Sequence, residues 1–170
     1  MTLDKLSQGV TRKMATVVAG AAMIMSGQGF AADDSGCYGA YFTSLEILQI
    51  AENHVYITGT AFGTGYVTTD PNSPLKGAAG PCEFVNDVID GKPRGEGRCV
   101  RTDPQGDKFL ISSKIEAFNS TGGMTGKWKM DGLTGKWVGA TGGGEWWDAG
   151  SGKDGKHYFL CFNGTHEMKK

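Results

Sequence analysis

The chain has 170 residues with 17 Lys and Arg against 18 Asp and Glu, a formal charge of −1; it is 39% hydrophobic and holds 28 glycines. That length suits a single domain once any leader is removed, and the absence of a basic excess argues against nucleic acid as a partner. His54, His157 and His166 are too scattered for a zinc motif, and no Gly-x-Ser-x-Gly elbow is present, so neither metal nor serine-hydrolase chemistry is indicated.

Residues 1–31 read as a secretory signal peptide. Lys5, Arg12 and Lys13 precede an apolar run at 14–25, and small residues lead to a cut near Ala31 or Ala32. The run is shorter than the roughly 20 residues needed to cross a bilayer, so stable membrane insertion is not expected. Residues 32–170 then form the domain, which is more acidic than the whole because the leader removes three basic groups and only Asp4. All four cysteines (Cys37, Cys82, Cys99, Cys161) lie in the domain. An even number in an exported chain predicts two disulfides and a periplasmic or secreted location.

Short β-rich segments follow in order. Residues 35–42 bring the chain into the fold, with Cys37 as an anchor. Residues 44–51 (SLEILQIA) have mixed periodicity and are read as strand, and 54–60 (HVYITGT), dominated by β-branched and aromatic residues, as a clearer one. A strand at 61–69 is softened by Gly63 and Gly65, and 70–81 (DPNSPLKGAAGP) is the longest loop, either a mouth or lid loop of a barrel or a plain connector. Residues 82–89 and 94–102 flank a turn at 90–93. If 90–93 form the turn, Cys82 and Cys99 fall diagonally on one face, which makes Cys82–Cys99 with Cys37–Cys161 tying the chain ends one of the three possible connectivities. Residues 103–107 (DPQGD) form a turn rather than a calcium loop, since too few oxygen ligands are at hand. Residues 108–118 alternate cleanly, 119–123 turn, and 156–162 form the last strand before a polar tail.

The stretch 122–150 holds all four tryptophans and a doubled Thr-Gly-Lys-Trp. Asp131-Gly132 is a hairpin signal, because Gly accepts the positive φ of a type I′ turn. A two-residue turn sets Trp128 opposite Gly135; a longer one sets it opposite Trp137. Either way the two indoles share a face. The glycines of 139–144 predict a sharply coiled strand, not a phosphate loop, for which the following helix is missing. Glu145 has the parity of Trp137 and Trp147 on that strand and is the candidate catalytic carboxylate, an acid or base if it faces an aromatic lumen; a solvated Glu on the outer face is the favoured alternative. Trp128, Trp137, Trp147 and, on an earlier strand, Tyr56 are the candidate ligand-binding residues. No cofactor is indicated.

The string TGKWVGATGGGEW at 134–146 resembles the Gly-rich strand of the allene oxide cyclase-like barrels, a group that includes plant dirigent proteins. Gly97-Arg98-Cys99 followed by 103–107 is similar to a hairpin of bacterial relatives of that barrel. The resemblance implies an eight-stranded antiparallel barrel and no particular activity, since none of the family's catalytic residues has a matching position. Turn signals recurring through the domain agree with an all-β barrel of about eight strands, either allene oxide cyclase-like or calycin-like. Thr-Gly-Lys-Trp also occurs in avidin-type barrels, though near the start of the domain. Three functions are compatible: a binding barrel for a small apolar or aromatic ligand, a cyclase- or isomerase-type enzyme using a lumen carboxylate, and a filled-barrel scaffold.

Overall fold

A single strand of 21 residues, β1 (Ala31–Ala51), makes the closure of this protein possible. In the computed structural model, which describes residues 31–169, β1 pairs along 31–41 with the last strand and along 40–51 with the second. It can serve both edges because it bends. Register shifts between Phe42 and Ser44 and between Gln49 and Ala51 insert extra residues, the usual means by which a strand turns a barrel corner. Thr43 and Ser44 hold the first bulge through Thr60 Oγ1, at 2.7 and 2.8 Å.

The other strands are β2 (His54–Gly63), β3 (Val67–Thr68), β4 (Gly80–Ile89), β5 (Lys92–Thr102), β6 (Lys108–Phe118), β7 (Met124–Gly132), β8 (Thr141–Ser151) and β9 (His157–Glu167). Eight long strands close into an antiparallel barrel in the order β2-β4-β5-β6-β7-β8-β9-β1 and back to β2. There is no α-helix among the described residues. The all-β barrel expected from the sequence is therefore present. The signal-peptide reading of residues 1–31 lies, but for Ala31, outside the described residues.

Both disulfides pair as the spacing suggested, but in closer register. The connection between β4 and β5 is a two-residue turn, Asp90-Gly91, with φ of 50° and 72°. Both central residues have positive φ, as a type I′ hairpin demands. Cys82 therefore lies directly opposite Cys99, not diagonal to it. Cys37 lies opposite Cys161 and joins β1 to β9 across 124 residues of sequence. Alternation sends the two bridges to different sides of the wall: Cys82–Cys99 faces the interior and Cys37–Cys161 the outside.

The two ends of the barrel differ. At one end the chain folds inward. After β2, residues 64–79 run beside β1 through β3 and bury Tyr66, Leu75 and Ala78. The connection from β7 to β8 makes a 3-10 turn at Gly135–Trp137 and drives Trp137 to complete burial against Phe109, 4.5 Å between ring centroids. Burying a ring of that size carries several kcal/mol, on the order of the 3–5 lost in Trp-to-Ala substitutions. These side chains join Trp128, Met130, Ala140 and Phe162 in one core that plugs this end.

Asp103 is the clip that fastens the plug. Its fully buried carboxylate accepts hydrogen bonds from Trp137 Nε1 at 2.9 Å and from Lys136 Nζ at 2.7 Å, while Oδ1 takes the amides of Gln105 and Asp107. Burial works to raise its pKa; the donors around it outweigh burial and hold it below the ordinary carboxyl value of 3.8. The 103–107 segment is thus a turn, as expected. Ser73 makes a second fastening, its hydroxyl donating to buried Asp34 of β1.

The tryptophan hairpin differs most from expectation. Asp131-Gly132 ends β7 and does not turn; the connection is the longer run 133–140. Trp137 therefore stands in the plug, off the strand, and Trp128 lies opposite Gly144. The glycines of β8 make room for Trp128. Its indole Nε1 donates to the carbonyls of Glu145 and Asn163, at 3.1 and 3.0 Å. A Cβ on Gly144 would fall 1.9 Å from the Asn163 carbonyl oxygen, and one on Gly164 would fall 2.6 Å from the indole itself.

Two outcomes are expected. Asp103→Ala, which strands a buried indole N–H and a lysine, should cost about 2–3 kcal/mol in chemical denaturation. Because the folded Asp103 pKa is depressed, its stabilisation is full above the unfolded value and drains as pH falls through the folded one. Melting curves between about pH 5 and pH 2 should therefore flatten in Asp103→Asn. A protein reductant of the thioredoxin type, too large to enter the barrel, should open Cys37–Cys161 and leave Cys82–Cys99 closed. Mass spectrometry after alkylation reads this directly.

Candidate functional site

At the end opposite the plug, the hairpin turns at 52–53, 90–91, 119–123 and 152–156 surround an open mouth. Below it lies a cavity of about 400 Å³. Strand alternation decides what lines it: every second residue of each long strand points inward. The floor is the top of the plug, formed by Tyr38, Tyr66, Leu75, Trp128 and Phe162. Phe84, Ile111, Ile115 and Leu160 make the wall together with the Cys82–Cys99 bridge, and Leu45, Ile47, Ile57 and Phe118 carry it out to the rim.

Polar groups in this apolar chamber are few. Ser113 donates to the Gly97 carbonyl at 3.3 Å, and Asn86 is buried in the wall. Tyr158 stacks on Phe42 with centroids 4.8 Å apart. Burial pushes its hydroxyl up to about 12, with Arg101 pulling down and Asp148 pushing up. Asp148 lies near the mouth, where its carboxylate accepts the Gly150 amide and its carbonyl accepts Asn119 Nδ2. Asn119 also gathers the 119–123 turn, taking the amides of Thr121 and Gly123 on Oδ1. That turn is part of the rim.

Beneath the floor sits Arg101, with no exposed surface. Its guanidinium lies 4.6 Å from the Tyr38 ring centroid and 5.2 Å from that of Tyr66, which meet edge to face. Such cation–π contacts favour a desolvated cation. Burial raises the Tyr38 hydroxyl far above its ordinary range, so it remains a neutral phenol. Gly63 belongs where it is because a Cβ there would fall 2.0 Å from Arg101 Nη1.

The cavity includes some of the residues singled out from the sequence and excludes others. Trp128 lines it. Trp137 belongs to the plug, Tyr56 points outward from β2, and Trp147 takes the outer face of β8. Glu145 is also outside, exposed and bonded to Lys127 at 2.6 Å, a contact that holds its carboxyl below the ordinary value. Glu145 is thus the solvated outer-face residue that the sequence favoured, and the face it was inferred to share with Trp137 does not hold. The physical reason is a parity error: counting alternation through Trp137 assumes a strand where the chain makes a 3-10 turn, and a shift of one residue exchanges the faces. Trp146, not Trp147, faces the cavity. Tyr38, Phe42, Tyr66 and Arg101 were missed altogether. Only a correct register for the bent β1, set by Cys37 opposite Cys161, would have revealed the first two.

No cluster of His, Cys, Asp or Glu among the described residues could hold a metal. Comparison with known proteins returns no match to a family model, to a curated protein or to a solved structure.

The neighbours Trp146 and Trp147 provide an internal control. A molecule entering the cavity should change emission in the wild type and in Trp147→Phe. The change should shrink in Trp146→Phe, as steady-state fluorescence titration would show.

Proposed function

We propose that this protein is an exported binding barrel that holds a small, mainly apolar molecule in its open-ended cavity. The observation that carries the reading is the cavity itself: about 400 Å³, walled by aromatic and aliphatic side chains and open at one end. That volume falls within the roughly 300–1,000 Å³ of small-molecule sites, and a dominantly apolar lining with few polar groups is their common composition. A filled-barrel scaffold would pack this space to interior density. A periplasmic or secreted location agrees with the two disulfides, which persist in oxidising surroundings.

We carry the resemblance to allene oxide cyclase-like barrels forward as a proposed kinship of architecture. No cyclase activity goes with it, and the outward position of Glu145 removes the carboxylate on which an isomerase reading rested.

Native mass spectrometry of protein purified gently from its own compartment should show a co-purifying small molecule. Ser113→Trp, which puts an indole into the cavity from a site already holding a small side chain, should abolish that adduct while circular dichroism stays unchanged. An adduct that persists in the Ser113→Trp protein would defeat the proposal.

A further inference from the structure

The buried arginine beneath the floor bears on what the cavity binds, and this inference rests on the binding-barrel reading above. Arg101 makes one hydrogen bond within the protein, from Nη1 to the Gly80 carbonyl at 3.0 Å. Its Nε and Nη2 have no partner among the described residues, and no carboxylate there lies within ion-pair distance. A guanidinium cannot shed its proton, so this is a permanent buried cation with the donors of two of its three nitrogens unused. Such groups are costly unless paired. The two rings near it present their π faces, and the Tyr38 and Tyr66 hydroxyls act on the cation as hydrogen-bond acceptors, but no carboxylate pairs it.

The free donors are not arbitrary. Nε–H and one N–H of Nη2 point from the same edge of the guanidinium, the edge that grips a carboxylate through two parallel bonds. Tyr38 and Tyr66 stand between this edge's owner and the cavity and themselves form part of the floor. At the other end Asp148 sets a negative charge near the mouth. The chamber is thus positive at its depth, negative near its opening and apolar between.

We propose that the cavity takes an apolar carboxylate, head downward, its carboxylate reaching Arg101 between Tyr38 and Tyr66 and its hydrocarbon part filling the space toward the mouth. Glu83 and Glu96, on the same two strands as the disulfide, have the exposed parity but border the cavity, as does His157 near the mouth; Arg101 lies beneath its floor. The inverse orientation would bring the head group against Asp148 and leave Arg101 facing hydrocarbon.

Octanoate, octanol and octylamine share a tail and differ in head, and each can be titrated into the delipidated wild-type protein near neutral pH. Tryptophan emission and calorimetry provide the readouts. Octanoate should bind about tenfold or more tightly than octanol, and octylamine most weakly. Arg101→Met keeps the length and apolar stem of the side chain; it should erase the octanoate preference and leave octanol affinity intact. Arg101→Lys keeps the charge without the two-donor edge, and should retain only part of the preference. Equal affinity for octanoate and octanol in the wild type, or octylamine binding best, overturns this inference and spares the binding barrel. Failure of all three to bind, with no adduct in native mass spectrometry, overturns both. The wild-type ranking needs no variant, so a misfolded Arg101→Met protein cannot shelter the claim.

Discussion

Everything in this molecule depends on one strand having two partners. A sheet of eight strands has two edges, each a row of unpaired amides and carbonyls, and closure alone removes them. Here β1 reaches past the width of a single neighbour, pairing its first half with β9 and its second with β2. The bulges around Thr43 and Ile50 supply the bend that a straight strand would refuse. Cys37–Cys161 then locks the first half to its partner.

Closure settles the wall, while the connections settle the ends. Strands joined by tight turns leave their end of the barrel open, and the Asp90-Gly91 and 119–123 turns sit around such an opening. The longer runs at 64–79 and 133–140 lie at the other end, where they have enough chain to fold inward and deliver Leu75 and Trp137 to the core. Asp103, in the turn after β5, and Asp34, on β1, fasten those runs. The chamber is what remains between the plug and the mouth.

Much of the wall could be read from residues alone, because alternation and turn chemistry are local. Residues 108–118 announced their strand and 103–107 their turn, while the cysteine spacing favoured the observed pairing among three connectivities. Two things resisted. One was the plug: Trp137 follows a Lys and a Gly that look like more strand, and only the packing against Phe109 and the bond to Asp103 pull it into a 3-10 turn. That single non-local event reversed the inferred faces of Glu145, Trp146 and Trp147. The other was the floor. Tyr38, Tyr66 and Arg101 are distant in sequence and meet only after β1 has bent and the 64–79 run has crossed behind it. Alternation alone sets Arg101 on the face of Cys99 and apart from Arg94 and Arg98, but nothing local shows that two tyrosines will close over it.

The same bridging strand sets the order in which the protein can be completed. Residues 31–41 emerge early in synthesis, yet their partner is β9, more than a hundred residues later. The intervening long strands can zip onto their neighbours as they appear, since each pairs with the next long strand in sequence. Short of Ala40, the first half of β1 has the two residues of β3 to pair with in the meantime. Non-local pairing of this kind is slow because the loop must close before any contact rewards it. Until then an open β-edge with Cys37 on it stands available to other chains. The nascent barrel is consequently most vulnerable to strand exchange and mispaired thiols in the interval before its final strand arrives.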